Sequence, residues 1–173
     1  KAEYNLVKNY VYFDQTAHPA QYTGSISILK LSLMDEFRWR AWGINAQLIY
    51  QMNSNKEIIR VPAFMARVSL CPTLPLFQNA CVLQPGIDLF YNTAYYASAY
   101  MPATRSFYLQ DEKKIGNYIY MDIFVTLMIK RFRIFIKYQH LNALWGENRY
   151  YTVPHYPMEG GIFKYGLSWS FYD

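Results

Sequence analysis

The chain has 173 residues, which suits one domain, and 19% of them are aromatic while only 17% are charged. Its mean hydropathy of −0.11 excludes a bundle of membrane-spanning helices, which would read as long apolar runs, and fits a surface that alternates between oily and wet. The formal net charge is +5, but Lys and Arg are scattered, and without a basic block, zinc spacing or RNA-binding motif nucleic acid is set aside as a partner.

Residues 4–13 and 22–34 read as strands of imperfect alternation. Val7, Val11 and Phe13 are expected on an oily face in the first, Ile26 and Ile28 in the second, with a phase slip near Leu29. Segment 37–51 alternates cleanly, with Trp42, Ile44, Ala46, Leu48 and Tyr50 opposite Gly43, Asn45, Gln47 and Gln51. Segment 60–71 sets Phe64, Ala66, Val68 and Leu70 against Met65, Arg67 and Ser69. The uncharged run from Val68 to Ile87 is long enough to span a bilayer, but Pro72, Pro75 and Pro85 rule out a good helix.

Segment 80–92 sets Leu83, Ile87, Leu89 and Tyr91 against Gln84, Gly86, Asp88 and Asn92, with Pro85 expected to mark a bulge. Segment 116–130 places Ile119, Met121, Ile123, Val125, Leu127 and Ile129 opposite Tyr118, Tyr120, Asp122 and Thr126. Segment 132–142 places Ile134, Ile136 and Tyr138 opposite Lys137 and Gln139. In the last segment Phe163, Tyr165, Leu167, Trp169 and Phe171 share one face, opposite Lys164, Gly166, Ser168 and Ser170. Aromatics at both ends of an apolar face are what lipid interfaces favour.

About eight strands result, and their connections alternate. Met34-Asp35-Glu36, Thr73–Asn79 and Lys130-Arg131 are short, whereas 14–21, 52–56, 93–115 and 142–161 are mostly longer. Short periplasmic turns and long outer loops are the habit of outer-membrane barrels. The expected fold is therefore all-β: a transmembrane antiparallel β-barrel of the outer-membrane type, forming a single domain over 1–173, with the long loops outside.

The polar faces supply the pore-lining candidates: Asn45, Gln47, Arg67, Gln84, Asp88, Tyr120, Asp122, Lys137, Lys164 and Ser168. Inward tyrosines could stack on sugars or fill space. Catalysis finds no support, because His18, His140 and His155 have no Ser or Cys nucleophile within sequence reach. No metal-ligand or calcium-loop spacing is present, so neither a metal nor a cofactor is expected. Asp111-Glu112-Lys113-Lys114, the one dense charge run, reads as a solvated loop rather than a site for divalent ions or lipopolysaccharide. Cys71 and Cys81 flank a predicted turn, but parity puts them on opposite faces, which favours free thiols over a disulfide.

Three stretches carry a family resemblance: Tyr91-Asn92-Thr93-Ala94-Tyr95-Tyr96 through Tyr100-Met101-Pro102-Ala103, then residues 150–158 with Tyr156-Pro157-Met158, and the ending from Phe163 to Asp173. Together they resemble the C-terminal region of the putative porin family of Bacteroidota outer membranes, over roughly residues 58–173. The Tyr-Pro-Met element before an aromatic last strand is also similar to TonB-dependent receptors of that phylum.

The resemblance implies a passive channel for small polar solutes, and that this chain is the C-terminal portion of a longer barrel. The alternatives are the barrel of a TonB-dependent transporter and a structural barrel subunit in an outer-membrane complex with lipoproteins. Implied partners are outer-membrane lipids and lipopolysaccharide, the barrel-assembly machinery, and outer-membrane lipoproteins or other barrel subunits. Phe163, Tyr165, Leu167, Trp169 and Phe171 are the candidate assembly signal, although Asp173 departs from the usual aromatic ending. A chain that opens on Lys1 without an export leader is expected to have been cleaved or to continue upstream. The strand at 4–13 is then expected not to close onto the strand at 162–172.

Overall fold

The computed structural model describes residues 1–145 and 150–171. Tyr172 and Asp173, where the departure from the usual ending falls, lie outside the described residues. The chain forms β1 (Ala2–Phe13), β2 (Pro19–Trp39), β3 (Trp42–Asn53), β4 (Phe64–Pro72), β5 (Leu74–Leu76) and β6 (Cys81–Asn92). These are followed by β7 (Ala99–Met101), β8 (Ser106–Tyr108), β9 (Tyr118–Ile129), β10 (Phe132–Gln139), a 3₁₀ turn (Leu141–Leu144), β11 (Tyr151–Val153), β12 (Tyr156–Pro157) and β13 (Ile162–Trp169). One nine-stranded antiparallel sheet runs in the order β1-β2-β3-β4-β6-β9-β10-β13, with β5 paired to β6. Among the described residues β1 and β13 do not pair, so the sheet is open with two free edges, as expected from the sequence. Among the described residues no helix is long and apolar enough to cross a membrane.

Alternation of loop length holds, with corrected boundaries. Tight turns at Arg40-Ala41, 77–80 and Lys130-Arg131 lie at one end of the sheet, and the connections 14–18, 54–63, 93–117 and 140–161 lie at the other. The expected turn at Met34-Asp35-Glu36 is instead interior to β2, where Met34, Asp35 and Glu36 pair with Gln47, Ala46 and Asn45. Adjacent acidic residues suggested a turn, but the alternation of Leu33, Phe37 and Trp39 continues through them to Arg40, whose φ of 54° makes the reversal.

The phase slip lies elsewhere too. β2 and β3 keep one register from Ile28 to Trp39. The irregularity lies between the pairs Lys8–Ser25 and Tyr10–Tyr22, where Asn9 of β1, with a φ of 54°, faces both Thr23 and Gly24 of β2. Val7 pairs with Ile26, and Ile28 with Asn53, so Val7, Ile26 and Ile28 share the polar, inner face rather than the oily one. Ile26 is 0% exposed.

Pro85 makes no bulge either: β6 pairs with β9 without interruption from Cys81 to Asn92. The break falls on the other side of β6, between β4 and β5. Leu70 pairs with Ile87 and Leu74 with Leu83, so Pro72 stands opposite Pro85. Neither proline has an N–H to give, and the ladder lapses there without losing register. Cys71 and Cys81 are free thiols, with Cys71 opposite Gly43 on the inner face and Cys81 opposite Ile129 on the outer.

On the outer face large apolar side chains lie open: Leu33 at 62%, Leu167 at 69% and Tyr165 at 78% exposure, with Trp39, Trp42, Ile87, Val125 and Ile136 among the others. Aromatics border this face. Phe37, Trp39, Trp42, Phe132 and Trp169 lie toward the turn end, and Tyr4, Tyr50, Phe64, Tyr91, Tyr138 and Phe163 toward the loop end. Phe132 meets Trp169 edge-on at 6.5 Å. On the inner face, two rings cover glycines of the neighbouring strand: Phe124 lies over Gly86 and Phe135 over Gly166, where a Cβ would collide with the ring.

Candidate functional site

Cross-strand partners in an antiparallel sheet point the same way, so the register decides which candidates share a face. Asn45 pairs with Ser69, Ser69 with Asp88 and Asp88 with Asp122. One row toward the loops, Gln47 pairs with Arg67, Arg67 with Phe90 and Phe90 with Tyr120. Gln84 pairs with Thr126, Lys137 with Lys164 and Arg133 with Ser168. All the candidates therefore lie on the inner face.

Three of them meet directly. Two carboxylates facing each other across a strand pair repel, and here Lys137 stands between them. Its Nζ lies 3.1 Å from Asp88 Oδ2 and 2.7 Å from Asp122 Oδ2. Ser69 Oγ donates to Asp88 Oδ1 at 2.6 Å, and the His140 amide donates to Asp122 Oδ1 at 2.9 Å. A cavity of about 430 Å³ beside this cluster takes in Gln47, Arg67 and Tyr120, and Asn45 lines an adjoining one with Arg67. Gln84 sits apart toward the turns, its Nε2 donating to Thr73 Oγ1 at 3.1 Å. Lys164 and Ser168 lie on the edge strand β13.

The long connections form a canopy that sequence reasoning missed. His140 is 0% exposed and left-handed at φ 56°. Its Nδ1 lies 2.7 Å from Glu159 O, an atom that can only accept, so Nδ1 carries the proton. Nε2 then accepts from Tyr118 O–H at 2.8 Å, and Tyr118 in turn accepts from Asn142 Nδ2 at 2.6 Å. Tyr120 stacks on the ring at 4.6 Å and Tyr150 meets it edge-on at 4.1 Å. His140 thus ties the 140–161 connection to the inner face, and Met158 of that connection lines the cavity beside Asp88 and Asp122.

The charge run is solvated as expected, with Asp111, Glu112 and Lys114 exposed, but its side chains are also engaged. Asp111 pairs with Arg60 at 2.8 Å and also bonds Gln15; Glu112 lies 3.3 Å from His155; Lys113 sits 3.3 Å above the Tyr151 ring. Beneath it, buried Gln110 donates to Ala97 O and Lys113 O and accepts from the Glu112 and Lys113 amides. The run staples the other three long connections to 93–117. That loop also reaches the first strand, where the Leu109 amide donates to Phe13 O at 3.1 Å. The only sequence clue was the density of charge, which does not say what each charge meets.

Under the canopy lies a larger recess, about 960 Å³, lined among others by Tyr12, Tyr22, Gln51, Arg60, Tyr95 and Asp111. Burial pushes the Tyr95 hydroxyl above its ordinary range, so it stays a neutral donor. Among the described residues no His, Cys, Asp and Glu group could hold a metal ion. The histidine partners are Thr16 for His18, Tyr118 and Glu159 for His140, and Glu112 for His155.

The fold defines an all-β protein built on one open antiparallel sheet, with a largely apolar outer face, a more polar inner face and loops gathered over one end. The particular family follows from comparison: the family described as putative porin matches residues 1–173, and the chain belongs to it. The match extends upstream of the stretches that carried the resemblance. It supports a porin-like, non-enzymatic role and implies an outer-membrane setting. No curated protein and no solved structure matches the chain.

Proposed function

We propose that this chain is transmembrane wall of an outer-membrane channel through which small polar solutes diffuse passively. One observation carries the reading: the two faces of a single sheet differ, the outer dominated by large exposed apolar side chains with Asp35 among them, the inner carrying the charged and polar network with Ile26, Ile28, Phe90, Phe124 and Phe135 interspersed. On β3 the stretch from Trp42 to Tyr50 covers about 27 Å at ~3.4 Å per residue. Tilted by ~40°, it spans about 20 Å, close to the ~25 Å apolar band of outer-membrane barrels. The inner face carries Arg67, Lys137 and Lys164 against Asp88 and Asp122, a charged lining suited to water and polar solutes.

The open edges support a barrel completed by further strands, of which this chain is one part. Placement among Bacteroidota rests on the sequence resemblance, and the partners proposed are the membrane lipids, lipopolysaccharide and the barrel-assembly machinery, which would read Phe163 to Phe171.

The test is single-channel recording of the complete protein in planar bilayers. Steady, ohmic conductance without an energy source is expected. A folded, membrane-inserted protein with no conductance would overturn the channel and favour the structural subunit partnered with lipoproteins. Conductance that appears only after removal of an N-terminal plug would favour the TonB-dependent class.

A further inference from the structure

The large recess has a wall chemistry that narrows what it can take. Tyr12 pairs with Ala20, and Tyr10 with Tyr22, so all three tyrosines stand on the inner face near the loop end. The Tyr10 and Tyr12 rings are nearly parallel, 8° apart with centroids at 6.5 Å. Tyr22 lies back over Gly24, where a Cβ would meet the ring at 2.7 Å, so the glycine lets the ring lie flat along the wall. Tyr95 and Tyr96, from the 93–117 connection, also line it.

Polar groups sit between the rings. Gln51 uses Nε2 on Pro62 O at 2.8 Å, and Asn55 uses Oδ1 on the Glu57 and Ile58 amides. Gln51 Oε1 and Asn55 Nδ2 are left for a ligand, one an acceptor and one a donor. Charge in the wall balances: Asp14, Glu57 and Asp111 against Lys56, Arg60 and Lys114. Arg60 is already matched by Asp111, and both Arg60 and Lys114 face the Tyr96 ring, at 5.9 and 4.9 Å. An ionic solute would find no net counter-charge. Flat aromatic faces suit the C–H faces of sugar rings, and leftover amide atoms suit hydroxyls, which both donate and accept. A volume of about 960 Å³ lies at the upper end of the ~300–1,000 Å³ usual for small-molecule sites, room for several sugar units.

We infer that this recess is a binding station for neutral oligosaccharides, with sugar rings lying on Tyr12 and Tyr22 at the mouth of the solute path. The inference rests on the inner face being that path.

The experiment uses the complete protein, in bilayers and by calorimetry in detergent, with maltohexaose, cellohexaose and mannohexaose as probes. At least one should bind and interrupt the current in a saturable way. Tyr12→Ala and Tyr22→Ala should each weaken binding about tenfold, Tyr22→Phe should retain it, and Leu33→Ala on the outer face should leave it unchanged. No binding of any of the three at millimolar concentration, binding indifferent to both alanine variants, or a preference for trilysine or triglutamate over every sugar would overturn the inference. Current without sugar tests the channel separately, and calorimetry reads sugar binding even where no current flows.

Discussion

The wall of β9, β10 and β13 and the canopy above it are held by different physics. In the wall each residue's surroundings follow from parity and register: Val125, Ile136 and Tyr165 stand side by side because the ladder puts them there. In the canopy, neighbours are far apart in sequence: Arg60 with Asp111, Glu112 with His155, Tyr118 with His140. The wall is repetitive, so one position resembles the next. The canopy depends on a few specific bonds, and each of its anchors stands alone. Damage to the wall should therefore cost folding, and damage to the canopy should cost loop order while the wall stays intact.

The largest effect should come from the wall. Val125→Arg should destabilise the protein by ~2–4 kcal/mol if its face meets lipid near mid-membrane, measured by denaturant unfolding in liposomes. Thr126→Arg, one residue on and facing inward, should cost much less. Equal costs would erase the distinction between the faces. Asp122 cannot serve as that inner control, because it holds Lys137 and the His140 amide.

A somewhat smaller cost is expected where the inner face is tightly packed. Gly86→Val should cost ~1–3 kcal/mol by displacing the Phe124 ring, read by the same unfolding assay. No change would mean that the ring has room to move aside.

His140→Leu should test the canopy. It removes the acceptor of the Tyr118 hydroxyl proton and the donor to Glu159 O, a loss of ~1–3 kcal/mol. That loss should fall on the 140–161 connection, seen as faster amide exchange and easier proteolysis there. If β9 and β10 exchange faster too, wall and canopy are one cooperative unit. A tag in the exposed β7–β8 turn, Pro102–Arg105, should be labelled on intact cells, and one at Lys130-Arg131 should not. Labelling of the second site alone would invert the topology.

The smallest effect belongs to the 14–18 loop. Hydrogen bonds from the Thr16 hydroxyl and from the His18 and Thr16 amides hold the Asp14 carboxyl below its ordinary range. A depressed carboxyl stabilises above its unfolded pKa of about 4, and that contribution is lost as pH falls through the lower folded value. Protection of the Thr16 and His18 amides, taken as exchange relative to the intrinsic rate at each pH, should fall in acid below about pH 4, and Asp14→Ala should flatten that response.

The sequence by itself determined the strands, their faces and the alternation of connection length, because period-two patterning is local and repeated along each strand. It put Lys137, Asp88 and Asp122 on one face. Where it misled, local cues competed with a longer pattern: Asp35-Glu36 looked like a turn inside β2, and Pro85 looked like a bulge although the gap falls opposite it, at Pro72. Ile26 and Ile28 were given to the oily face because hydrophobicity alone does not say which way a strand points; the pairing of Ile28 with Asn53 and of Ile26 with Val7 does. Only the tertiary structure decided that Lys137 leans between two aspartates, that His140 is a buried anchor, and that residues 111–113 staple the loops together. Those facts depend on which loops meet, and no periodicity along the chain records a meeting between Arg60 and Asp111.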